Sequence, residues 1–285
     1  MKLIVRADDL GFTEAVNYGL VKTLREGIVT STGLMPNMPA AEHGFSLVKT
    51  LANISLGQHT NIVVGKPVSD PAKIPSLVDE EGNFIRSSVY RSTQGDTVVL
   101  DEVIMEIEAQ LHRFRDITGR DPDYLEGHAI SSPNFEEGLR RVAQKNNLLH
   151  LPFLGDSIGG KIVKWSAFPR MTPDCMYNPM AYILNDEGQV LGHELAILVF
   201  HPGYVDQDIL RLSSFNLIRP WEVEVLCSPI IRQWQLDRSI LTPVNQRMCG
   251  RQCGRTVRTI YSSMCKPVAH THLTASGPLL KRVFH

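Results

Sequence analysis

Four apolar, strand-like runs in this chain end in side chains that can hold a cation or move a proton. Asp8 and Asp9 follow Leu3-Ile4-Val5, His59 closes "ISLGQH", His128 closes "YLEGH", and His201 follows Leu195–Phe200. Taken singly, each has an ordinary explanation. A histidine after a strand is usually a satisfied core or surface residue, and paired aspartates often cap the next helix. Together they describe chemistry. One carboxylate and two imidazoles form an open metal site that keeps positions for water and substrate. A cation so held polarises a carbonyl and acidifies water. Hydrolysing an amide or ester then takes a base for the water proton and an acid for the leaving group, work suited to a second aspartate and an imidazole. Adjacent aspartates in a strand point to opposite faces, which fits one carboxylate on a cation and its neighbour on a proton. The same donor set serves non-haem iron oxygenases, and a non-catalytic sugar-binding or regulatory protein would need only the pocket. The remaining seven histidines lie in helical, loop or tail sequence and keep the ordinary reading.

Residues so far apart converge only if their strand ends share one mouth, as in parallel sheets and barrels. The patterning supports that. Thr13 is placed to cap a helix carrying Val16, Leu20, Val21 and Leu24, with Gly27 as its stop. Ile28–Asn37 reads as a second strand and exit loop, Ala40 to Leu51 as a helix, and "ISLGQHTNI" as strand-like until Gly57. Residues 64–97, with Pro67, Pro71, Pro75, Gly82 and Gly95 among them, form a long irregular insertion, a kind of segment that is often functional. Asp101 opens the clearest helix, with Val103, Ile104, Ile107, Leu111 and Phe114 at helical spacing and Gly119 as its end. "DYLEGHAI" is another strand and exit loop, and Asn134 with Glu137 resembles a capping box for a helix through Asn147. Leu195–Phe200 is the strongest buried strand, and "SPIIRQW" starts a last helix. Repeated β-α alternation without hairpin signals favours a parallel sheet covered by helices, open or closed into a barrel. Such a helix-rich pattern is unlike the β-rich jelly roll usual for the oxygenases.

Bulk properties agree with a globular chain. Of 285 residues, 43% are hydrophobic and 21% charged, enough for a sizeable core. No apolar run approaches the ~18 residues needed to span a bilayer. The start "MKLIVRADD" lacks a signal-peptide core, so the cytoplasm is the expected compartment. The net charge of −1 conceals an asymmetry: from Asp237 onward there are eight Lys/Arg and one acidic residue. This basic tail has no nucleic-acid reader motif, and the acidic body argues against polyanion binding. Cys249, Cys253 and Cys265, with His270 and His272, invite a zinc reading, but C-x₂-C spacing is missing and a poorly packed extension is the simpler expectation.

The segments "VRADDLGFTEAVNYG", "GQHTNIVVGKP", "YLEGHAISSPNF" and "FHPGYVD", in this order, together with "RPWEVEVLCSP", resemble the YdjC/ChbG family of carbohydrate deacetylases from Lys2 to about Trp234. The resemblance implies an α/β fold, a distorted, TIM-like (β/α) barrel related to polysaccharide deacetylases. It implies removal of acetyl groups from N-acetylated sugars, notably short chito-oligosaccharides such as diacetylchitobiose. Carried over, Asp8 matches the catalytic base, and Asp9, His59 and His128 match the ligands of one divalent metal ion (Mg, Zn, Co or Mn). His201 matches the proposed acid or its close supporter. The expected partner is an N-acetylated oligosaccharide, with no nucleic acid or membrane and with a homodimer as the candidate assembly. Residues 1–236 are expected to form the barrel domain and 237–285 an atypical extension. The insertion at 64–97 is expected to cap the mouth, with Arg86 and Tyr90 contacting sugar hydroxyls. Two departures stand out. The family often reads Asp-Ser-His-x-x-x-His where this chain has Glu126-Gly127-His128 and Ser132, so the downstream histidine is absent. The tail also lacks the family's last apolar strand.

Overall fold

Strand β1 (Lys2–Leu10) is buried along almost its whole length because neighbours flank it on both sides. A computed structural model describes residues 1–152 and 176–240, with the backbone of three short strands between them. In chain order β1 is followed by α1 (Glu14–Glu26), β2 (Ser31–Leu34), α2 (Ala41–Val48) and β3 (Ser55–Thr60). Then come α3 (Ser87–Ser92), α4 (Leu100–Thr118), β4 (Leu125–Gly127) and α5 (Pro133–Lys145). The short strands are β5 (Ser157–Ile158), β6 (Lys161–Ile162) and β7 (Lys164–Ser166). The chain closes with α6 (Pro179–Leu184), β8 (Leu195–Phe200), α7 (Gln207–Leu212), α8 (Ile218–Cys227) and α9 (Pro229–Asp237). Six strands form one sheet in the order β4-β3-β2-β1-β8-β7, every neighbouring pair parallel. Beyond β4, Leu125 pairs with the segment at His150 as a further parallel bridge. The sheet curls into a half-barrel with helices.

Alternation along the strands separates two faces. Leu3, Val5 and Ala7 of β1 and Ala196, Leu198 and Phe200 of β8 pack outward with Leu20 and Leu24 of α1 and Leu226 of α8. Ile4, Tyr124, Ile197 and Val199 form a separate, inner apolar cluster. That cluster floors the half-barrel and explains Gly57. A Cβ there would lie 2.1 Å from the Tyr124 ring, so only glycine lets the aromatic fill the inside. Gly57 therefore lies within β3 and does not end it, and the strand runs on to carry His59.

Helix boundaries follow their caps. Thr13 Oγ1 accepts from Val16 N at 3.2 Å, and Gly119 ends α4 at φ 69°. The start of α5 differs from the capping-box expectation: Ser132 caps it, with Pro133 at the first helical position. Proline's fixed φ and missing N–H suit that position. Asn134 instead donates to Val98 O, and Glu137 pairs with Arg140 and Arg141. The insertion after β3 is pinned by carboxylates that accept its backbone N–H groups. Glu106, fully buried on α4, takes Val68 N and Ser69 N at 3.0 and 2.9 Å, and Glu102 takes Ser76 N at 2.7 Å. Ile240 still packs into the core, while the tail from 241, with its cysteines, lies outside the described residues.

Candidate active site

Inward-facing residues of successive strands meet at the strands' carboxyl ends around a cavity of about 390 Å³. On β1 the inner row runs Ile4, Arg6, Asp8, so Asp8 reaches the cavity by simple alternation. Alternation alone would send Asp9 outward with Ala7. It does not go there. Asp9 takes φ 77°, the pairing of β1 with β2 slips between Ala7 and Leu10, and both carboxylates line the cavity. This corrects the opposite-face expectation: a local break in the strand, not its pleat, brings the second aspartate in. A left-handed non-glycine residue costs on the order of 1–2 kcal/mol. The turn is held from behind, where Gly11, at φ 96°, donates its N–H to the buried Asn17 Oδ1 at 2.6 Å.

Asp9, His59 and His128 come together. Asp9 Oδ1 lies 3.2 Å from His59 Nε2 and 3.2 Å from His128 Nδ1, and those nitrogens are 2.9 Å apart. Asp9 Oδ1 is fully buried and receives no well-directed hydrogen bond from either ring. Three ligand atoms brought this close together, one carboxylate oxygen and two imidazole nitrogens, are a fitting donor set for a divalent ion. Burial opposes charge on both sides, yet the fields win. Asp9 is held well below the usual carboxylate range against its desolvation by Arg219 and His128. His59 is held well above the usual imidazole range, against its own desolvation, by Glu126, Asp8 and Asp9.

Behind these residues runs a second set of ionic contacts. Arg6 donates to Asp8 Oδ2 at 2.7 Å and to Glu126 Oε2 at 2.9 Å, and Glu126 Oε1 meets His59 Nδ1 at 2.6 Å. All four residues are buried, so these contacts act with little solvent screening.

On the far side, α8 organises Asp9 and His201 together. Arg219, only 1% exposed, donates to Asp9 Oδ2 at 2.7 Å, to Phe215 O at 2.6 Å and to His201 O at 3.2 Å. One turn later Glu222 accepts from His201 N at 2.6 Å and from the Tyr177 hydroxyl. Burial pushes the Glu222 carboxyl up to about 7, even though Tyr177 and His201 donate to it. Burial likewise lowers the His201 imidazole to about 4, against the attraction of Asp9 and Asp8. Its ring lies against Phe215, 5.2 Å between centroids.

All five residues read from the strand ends therefore line one cavity. Arg86 and Tyr90 are not among its lining. Arg86 starts α3 exposed to solvent, and Tyr90 packs against the apolar cluster of α4 and α5. Their neighbours Ser87 and Arg91, on the other side of α3, do line the cavity, as do Val63 and Val64. Sequence reasoning missed four participants. Arg6 and Glu126 stand two residues before Asp8 and His128, a spacing that places them on the same strand face. Arg219 and Glu222 are charges three apart in the largely apolar "IRPWEVEVL", one helical turn, so that both fall on one face while Glu224 stays exposed.

The arrangement has relatives. Carbohydrate deacetylase 2 of Listeria innocua is 34% identical across 84% of this chain and 96% of its own length. The carbohydrate deacetylase of Geobacillus stearothermophilus is 30% identical across 83% and 94%, and the chitooligosaccharide deacetylase of Salmonella typhi 29% across 83% and 94%. A crystal structure of a putative cellobiose-phosphate cleavage protein from Enterococcus faecalis superposes with a TM-score of 0.69 at 24% identity. It covers 84% of this chain and 95% of that one, so the fold is common to both. The model of the YdjC-like protein family matches residues 2–237, from the first strand through the helix that carries Arg219 and Glu222 and on to the end of α9. With strand ends, cavity and α8 all inside that match, this chain is a member of the YdjC-like family.

Proposed function

We propose that this protein is a metal-dependent hydrolase that removes acetyl groups from N-acetylated sugars, with short chito-oligosaccharides such as diacetylchitobiose as the substrate class. The observation that carries the reading is the pair Asp8 and Asp9, both turned into one cavity, with two imidazoles on Asp9 only. Relatives named carbohydrate and chitooligosaccharide deacetylases supply the substrate class. Asp9, His59 and His128 would hold the ion, which when bound supplies an electrophile for the acetamide carbonyl. Magnesium, zinc, cobalt and manganese all suit one carboxylate and two imidazoles.

This chain's own groups do the rest. Asp8, fixed by Arg6, takes the proton of the attacking water. His201 is neutral at rest, so it acts as donor after receiving that proton and delivers it to the leaving amine. Val63, Val64 and Phe215 present apolar surface that excludes water around the acetyl group, and Ser87, Arg91 and Ser213 offer donors to sugar hydroxyls at the mouth. The test is acetate release from a panel of N-acetylated mono- and oligosaccharides, with and without EDTA. Metal-independent release, or none from any member of the panel, would refute the reading.

A further inference from the structure

We infer that Glu126 is a positioning residue for His59: it fixes the ring and its tautomer so that Nε2 is offered to the ion, while Arg6 locks the other carboxylate oxygen. This rests on the reading of Asp9, His59 and His128 as ligands and adds a role to a residue outside that set. A neutral imidazole has one N–H and one lone pair, and the group bonded to one nitrogen decides which form faces the other way. Glu126 Oε1 lies 2.6 Å from His59 Nδ1, on the side of the ring opposite to Asp9. A carboxylate can only accept there, so Nδ1 keeps its hydrogen and Nε2 is the nitrogen that gives up a proton and offers its lone pair when the ion binds.

The carboxylate itself has no freedom to drift. Its second oxygen receives Arg6 at 2.9 Å, and the same guanidinium nitrogen holds Asp8 at 2.7 Å. The proposed base and the proposed ligand thereby share one cation as a common anchor. Space for the contact is built into the neighbouring strand. A Cβ on Gly33 of β2 would lie 2.8 Å from Glu126 Oε1 and 2.8 Å from the His59 Cβ, so only glycine at 33 leaves room for the pair. Asp8, His59 and Glu126 also have ligand atoms near one another, which makes Glu126 as a direct ligand the rival assignment. Arg6, placed between Asp8 and Glu126, fills that position with a built-in positive charge and favours the positioning role.

Co²⁺ titration of the whole chain, followed by its visible absorption, separates these roles without any substrate. Glu126→Ala should weaken Co²⁺ binding about 10–100-fold at an unchanged one ion per chain, the usual effect of removing an orienting partner. Glu126→Gln, whose carboxamide oxygen still accepts from Nδ1–H, should recover most of the affinity. Gly33→Ala leaves the carboxylate present but crowds it, and should weaken binding in the same direction; it carries the test with Glu126→Gln if circular dichroism finds Glu126→Ala unfolded. Wild-type affinity in Glu126→Ala or in folded Gly33→Ala would overturn the role, as would a Glu126→Gln no tighter than Glu126→Ala. Loss of all binding in both Glu126 variants would make Glu126 a ligand instead. A wild type that binds Co²⁺ but releases no acetate would refute the deacetylase reading alone and leave this one standing.

Discussion

Replacing Arg219 with Met tests whether this buried guanidinium holds the site together by charge. Met keeps part of the apolar stem but loses the guanidinium, whose carbon lies 5.7 and 5.4 Å from the ring centroids of Phe12 and Phe215. What it removes is the partner of Asp9, a carboxylate with no solvent exposure. Breaking a buried pair from one side leaves the other charge uncompensated and costs about 3–5 kcal/mol. At roughly 2–4 °C per kcal/mol for a domain of this size, the melting temperature in EDTA should fall by about 6–20 °C. The decisive measurement is the double variant. If the cost is the orphaned charge, Asp9→Asn added to Arg219→Met should raise the melting temperature above that of Arg219→Met alone. Additive loss in the double variant would mean that Arg219 acts through its hydrogen bonds to Phe215 O and His201 O, and the charge reasoning fails.

Other perturbations separate the roles of neighbouring groups. Asp8→Asn should keep its metal while losing on the order of 10²–10⁴ in kcat, the usual worth of a general base; Asp9→Asn should lose metal instead, with activity partly restored by excess ion. Elemental analysis beside acetate release checks both, and metal lost from Asp8→Asn but kept by Asp9→Asn would reverse the assignments. Because His59 is held charged well above the usual imidazole range, an ion must displace its proton. Metal affinity should therefore rise with pH, by about tenfold per unit for one proton released, and calorimetry showing no proton release would contradict this. The Glu222 carboxyl is raised from 4.5 to about 7, so folding favours its protonated form. Its contribution is fully present below about 4.5 and is lost as pH rises through about 7, amounting to roughly 3 kcal/mol. Urea midpoints of wild type and Glu222→Gln at pH 5 and pH 8 should diverge accordingly, and parallel curves would assign the pH dependence elsewhere.

Much of the site was legible because its residues sit where strand periodicity puts them. Asp8, His59, His128 and His201 each follow an apolar run, and alternation carries each onto the inner face without further instruction. Local signals also placed most helices: Thr13 and Gly119 act through their own backbone neighbourhoods, which a sequence displays directly. The register of β1 against β2 is another matter. Asp9 enters the cavity only because the strand breaks at φ 77°, and that conformation persists because Asn17 grips the turn and Arg219 receives the carboxylate. Arg219 lies 210 residues from Asp9, and Glu126 lies 67 from His59. Neither pairing has a local signature, since a buried charge needs a partner but nothing in its own segment says which. The partner is chosen when β1 pairs with β8, β3 pairs with β4 and α8 packs over α1, steps driven by apolar burial on the outer face. Sequence periodicity alone thus carried Asp8, His59, His128 and His201 to the mouth; tertiary packing brought Asp9 in and decided which groups touch, because desolvated charges settle on whatever complementary group the folded strands bring within hydrogen-bond distance.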